Sequence, residues 1–134
     1  LEGDGIVLDV DGQKSTLTRE SEPFAFAADS HSAAQLMGSA ITDLNVMTRR
    51  GRYTHHVRRI TGNEASATLE TGSEGETVLI FCAEGEFALK TNRGIAHLGA
   101  HDAAILYGVA TGAIEIKGDG DLFLITIIAI GSEV

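Results

Sequence analysis

Residues 6–18 read Ile6-Val-Leu-Asp-Val-Asp-Gly-Gln-Lys-Ser-Thr-Leu-Thr18, and this stretch decides the fold class. Ile6, Leu8 and Val10 alternate with Val7 and Asp9, the period of two of a strand packed on one face. Asp11-Gly12 follows, and these two residue types tolerate the positive φ of a tight hairpin turn. A second strand through Thr16 to Thr18 is expected to fold back on the first. Outward from the hairpin the signature recurs. Pro23-Phe-Ala-Phe-Ala-Ala28 alternates again, with Pro23 where a strand can begin without donating to a ladder. Segments 35–37, 43–48 and 53–60 continue the pattern, and 76–83, 86–91, 95–98, 103–107, 113–117 and 121–130 read as further strands. Asn92-Arg-Gly94 and Lys117-Gly-Asp-Gly-Asp121 read as turns, and the 16 glycines as punctuation between short strands. No segment reads as an amphipathic helix; residues 30–36 offer one turn at most. The fold class is all-β.

Residues 61–75 shift to Gly, Asn, Ser, Thr and Glu, and read as a connector holding one modest strand at Ala65-Ser-Ala-Thr-Leu69. On either side of it a weak repeat is visible. Leu1-Glu-Gly-Asp-Gly5 matches Phe81-Cys-Ala-Glu-Gly85, and Asp43-Leu-Asn-Val-Met47 matches Asp121-Leu-Phe-Leu-Ile125, at offsets of 80 and 78 residues. Their order and near-equal spacing suggest one β unit used twice, in the manner of a double-stranded β-helix, or jelly roll.

The chain has 134 residues, 10 Lys plus Arg against 19 Asp plus Glu, and a formal net charge of −9. That is one ordinary domain's worth of chain, and 43% hydrophobic residues suffice for a core. An acidic chain with no Trp and 5% aromatic residues has neither the basic face for duplex nucleic acid nor the platforms for single strands. The longest apolar run, residues 122–130, is far short of the roughly 20 residues that span a bilayer, so no membrane partner is expected. The lone Cys82, inside Val78-Leu-Ile-Phe-Cys-Ala83, reads as a core thiol of a cytoplasmic protein without disulfides. The first residue is Leu1 rather than Met, which leads us to expect that N-terminal residues are missing.

Charge is unevenly placed. Arg49, Arg50, Arg52, Arg58 and Arg59 fall between positions 49 and 59, where there is no acid, so that window carries +5 and the rest −9 − 5 = −14. Arginine's planar fork matches a carboxylate or phosphate, which makes the window an attractor for a small anion. The plain alternative is that these arginines pair with acids on neighbouring strands. Alternation would put Asp43, Asn45, Met47 and Arg49 on one face and Leu44, Val46, Thr48 and Arg50 on the other. It groups His55 with Tyr53, Val57 and Arg59, and His56 with Thr54, Arg58 and Ile60. No His-x-His occurs, His31, His97 and His101 are scattered, and no metal or other cofactor is expected. Phosphate-loop, nucleophile-elbow and dinucleotide signatures are absent from the sequence.

Asp43-Leu-Asn-Val-Met-Thr-Arg-Arg-Gly51 resembles the HutD/Ves family, bicupin proteins linked to histidine utilisation in bacteria. Leu1-Glu-Gly-Asp-Gly-Ile-Val-Leu8 resembles that family's first Gly-turn hairpin and Pro23-Phe-Ala-Phe26 its next strand. The resemblance is close to about Ile60 and rests afterwards on the β pattern alone. It implies a bicupin of two cupin-like jelly-roll units, the first incomplete: residues 1–60 as the end of the first unit, 61–75 as connector and 76–134 as the second. The family pattern begins earlier, with a Lys-Asn-Gly-Gly-Gly motif that would precede Leu1.

The resemblance further implies a non-enzymatic regulator that binds a small anionic metabolite, such as formylglutamate or urocanate. It nominates Asp43, Asn45, Met47, Arg49 and Arg50 as ligand-binding residues. Arg49 would clamp a carboxylate, Asn45 supply an amide donor and acceptor, and Asp43 orient Arg49 or take a ligand amide proton. Two readings stay open beside it: a cupin-type enzyme completed by the preceding segment, and a module whose basic window docks on an acidic protein. Exposed strand edges of an incomplete barrel point towards a homodimer.

Overall fold

The structure is a computed structural model and describes residues 1–71, 75–107 and 112–131. The described residues form strands without any helix, so none is long and apolar enough to cross a membrane. They divide into two compact units, Leu1–Met47 and Thr48–Val134.

In the first unit β1 (Ile6–Val10) is the middle strand of three, between β2 (Gln13–Leu17) and β3 (Ser32–Leu36). The hairpin forms as its sequence dictates. Asp11 and Gly12 take φ of 50° and 88°, Val10 pairs with Gln13, and the Asp9 carboxylate accepts the Gly12 N–H at 2.9 Å. Ile6 and Leu8 are buried. The segment read as one helical turn is instead β3, because the second edge of β1 offers a ladder that a single turn cannot match: Ile6 pairs with Leu36 and Val10 with Ser32. The Asp4 carboxylate accepts both the N–H and the hydroxyl of Ser39, at 3.0 and 3.1 Å, which holds it below the usual carboxylate range. Residues 23–28 and 43–48, expected as strands, join no ladder. Alternation makes a strand only where a neighbour's edge is available, and here only Thr42 finds one, in an isolated bridge to Glu2.

The second unit is one sheet in the order β4 (Tyr53–Thr71), β8 (Gly112–Ala129), β5 (Glu76–Thr91). The far edge of β5 takes β7 (Ala103–Tyr107) at one end and β6 (Gly94–Leu98) at the other, with the ladder carried between them by Cys82 and the 99–102 turn. Val78, Ile80, Cys82, Leu122 and Leu124 form the centre of its core, with Ile60, Phe87, Leu89, Leu98, Ile114 and Ile116 around them.

Three long strands replace several short ones. Residues 61–71, read as part of a connector, continue β4 and pair with β8 from Thr61↔Asp121 to Thr71↔Gly112 across a bulge at Gly62; residues 72–74 of that connector lie outside the described ones. Likewise 76–83 and 86–91 are one strand, bulged at Cys82, and Lys117–Asp121 is not a turn. The glycines there serve a close approach: a Cβ at Gly85 would fall on the Asp119 carbonyl, one at Gly118 on the Glu86 carbonyl, and one at Gly120 on that of Glu84. The segments matched as a repeat fall on unlike elements, since Phe81–Gly85 lies in β5 and Asp121–Ile125 in β8, whereas residues 1–5 and 43–47 lie outside strands.

Cys82 is fully buried, its thiol directed at the carbonyls of Glu84 and Gly85 at 3.4 and 3.5 Å, and burial pushes its pKa up. The folded state therefore keeps its proton after the unfolded thiol has ionised, so stability falls as pH rises past the ordinary thiol pKa. Urea midpoints at neutral and alkaline pH should differ less in Cys82→Ala than in the parent. An aromatic disulfide reagent should find no reactive thiol until the protein is unfolded.

Candidate functional site

The candidate site is built on β4 and the turn that leads into it. Gly51 has φ of 80°, and the Arg49 carbonyl accepts the N–H groups of Arg52 and Tyr53 at 3.1 and 3.0 Å, which turns the chain into the strand. The Ile130 N–H then closes on the Arg52 carbonyl at 2.8 Å. Arg49, Arg50 and Arg52 are exposed around this turn. His55 and the Thr48 hydroxyl share a hydrogen bond of 2.6 Å at Nδ1.

Alternation along β4 separates two kinds of arginine. Arg59 donates from Nε to Asp121 Oδ1 at 2.7 Å and from Nη2 to Oδ2 at 2.9 Å, and both side chains are largely buried. Arg59 stands opposite Phe123 and Asp121 is two residues away, so this is a diagonal cross-strand fork between β4 and β8. The plain alternative of the charge pattern is met at this arginine. Arg58 belongs to the other face. It shares that face with Ile60, which is in the core, and it stands opposite buried Leu124; His56 is opposite Thr126. Within one strand the face passes from a buried Ile60 to exposed cationic and imidazole side chains at Arg58 and His56.

Of the nominated residues, Asp43, Asn45 and Met47 belong to the first unit, and Arg49 and Arg50 to the second. The structure brings Asp43 and Asn45 together, Asn45 Nδ2 donating to Asp43 Oδ2 at 3.2 Å. All five are exposed. Arg58, a member of the arginine window, and His56, which shares its phase, are not among the residues that the family resemblance nominates. The signal was their shared phase with Ile60, which becomes decisive once Ile60 is known to be in the core. Among the described residues no group of three or more His, Cys, Asp or Glu side chains is placed to hold a metal ion.

Comparison with known proteins places these features in a wider set. The sequence profile of the HutD family matches residues 1–124. An uncharacterized 21.2 kDa protein in the hutC 3' region of Pseudomonas putida is 33% identical over 109 residues, 81% of this chain. The chain spans about half the length of that curated relative, 55%. A conserved protein of unknown function from Pseudomonas aeruginosa PAO1 matches with a TM-score of 0.79 at 24% identity, over 98% of this chain and 70% of its own. HutD from Pseudomonas fluorescens SBW25 matches with a TM-score of 0.64, also at 24% identity, over 98% of this chain and 66% of its own. At that identity the two structures establish a shared fold, which among the described residues of this chain is all-β.

Proposed function

The chain belongs to the HutD family, and on that premise we propose that it binds a small carboxylate metabolite and acts as a non-enzymatic, cytoplasmic regulator of histidine utilisation. The hut-region setting of the Pseudomonas putida relative supports the link to that pathway. The observation that carries the reading is the set of exposed arginines Arg49, Arg50, Arg52 and Arg58, in a segment without acids, in a chain of net charge −9. In an acidic protein such a segment is where a small anion is drawn and held. On the second unit, Arg49 and Arg50 supply forks for a ligand carboxylate, while Arg58 and His56 offer donors beside apolar Ile60 and Leu124. Asp43, Asn45 and Met47 remain proposed ligand residues through the family motif.

A thermal-shift titration with formylglutamate, urocanate, histidine and glutamate tests the reading. A ligand that binds only the native state adds about 2.7 kcal/mol of stability at a hundredfold excess over Kd. The expected result is a selective shift with formylglutamate or urocanate that is lost in Arg49→Ala, whose unliganded midpoint stays near that of the parent because Arg49 is exposed. Equal shifts with all four compounds, or none with any, would overturn it.

A further inference from the structure

Between Glu86 and Lys90, β5 has two different faces. Phe87 and Leu89 are buried, whereas Glu86, Ala88 and Lys90 lie on the opposite face. In register, Ala88 stands opposite His97 on β6 and opposite Lys117 on β8, so the three form a row across adjacent strands. At about 4.8 Å per strand the backbones of His97 and Lys117 are roughly 10 Å apart, with only the Ala88 methyl between them. This leaves an open cleft of about 380 Å³ lined by Glu86, Ala88, His97, Gly99 and Lys117, with Phe87 and Leu98 also at its wall.

Charges of both signs surround the cleft, Glu86 and Asp119 against Lys117. Glu86 pairs in register with Asp119, which makes it the diagonal neighbour of Lys117 on the next strand. Opposite charges in that relation ordinarily attract each other into a pair. Yet the side chains of Glu86, Lys117 and His97 make no hydrogen bond or ion pair among the described residues.

We propose that this cleft is a second binding site, for a small α-amino acid in its zwitterionic form. The ligand carboxylate lies against Lys117, its ammonium against Glu86, and its short side chain on the Ala88 methyl, with His97 as the far wall. The site is separate from the arginine segment: Arg58 stands opposite Leu124, and Lys117 lies seven positions away from Leu124 along β8.

Amide NMR of the whole chain, with L-alanine as the probe, tests this. L-Alanine should move the amides of residues 86–88, 97–99 and 117, while acetate and methylamine, each carrying half of the zwitterion, should move them far less at equal concentration. Lys117→Met should bind about 10- to 100-fold more weakly, the loss of one charge-assisted hydrogen bond. Ala88→Leu fills the cleft and should remove the response with the thermal midpoint unchanged, and Arg49→Ala should keep it. The proposal is overturned if L-alanine leaves these amides unmoved, if acetate moves them equally, if Ala88→Leu still responds, or if Arg49→Ala abolishes the response.

Discussion

Gly120→Ala is expected to destabilise the second unit by about 3–5 kcal/mol, read as a lowered urea midpoint with an unchanged slope. Two effects add. Gly120 has φ of 132°, a conformation in which an L side chain is strained. The new Cβ would also fall on the Glu84 carbonyl and against the backbone of Gly85, so β5 and β8 would have to part where they are bonded to each other. Gly62→Ala separates the two contributions. Gly62 has nearly the same φ, 128°, but a Cβ there meets nothing within 4 Å. It should therefore show the conformational strain alone, about 1–3 kcal/mol. Equal losses in the two variants would refute the steric argument.

Arg59→Met should cost about as much, roughly 3–5 kcal/mol, because it leaves the Asp121 carboxylate, 9% exposed, in place without its guanidinium. The companion variant decides what the pair is for. Two charges taken from water give back much of their attraction as desolvation, so Arg59→Met with Asp121→Leu should be far closer to the parent than Arg59→Met alone. A double variant as unstable as the single one would mean that the fork holds β4 on β8 beyond any packing that Met and Leu can supply. Both outcomes are read from chemical denaturation of the two variants beside the parent.

The sequence was most legible where local chemistry and tertiary structure agree. Asp11-Gly12 marks a real hairpin because both turn residues take a positive φ themselves, and Asn92-Arg-Gly94 marks another, in which Gly94 takes φ of 138° as it enters β6. β6 and β7 follow their apolar runs, and no helix is found among the described residues. Elsewhere glycine carries two meanings. At Lys117–Asp121 it has the look of a turn in the sequence, but it is there so that two backbones can pass closely within continuous strands. Residues 43–48 fail in the opposite way, having the alternation of a strand and no neighbour to pair with. The candidate site was visible as a concentration of arginines. Which of them is spent on the fold was not, because the Arg59 partner, Asp121, lies 62 residues away.

The pairing of β4 with β8 also sets the order in which the second unit can assemble. The Thr91–Gly94 hairpin closes locally, whereas Tyr53 waits for Ala129, 129 − 53 = 76 residues later. Loop closure over that span is slow, and at about 5–20 residues per second of translation β4 is made roughly 4–15 s before its partner exists. Through that interval the nascent strand presents Val57 and Ile60 together with its arginines and an unsatisfied backbone edge. A ribosome-bound chaperone that favours basic and aliphatic segments would meet here a long stretch that cannot shelter itself until β8 has been made.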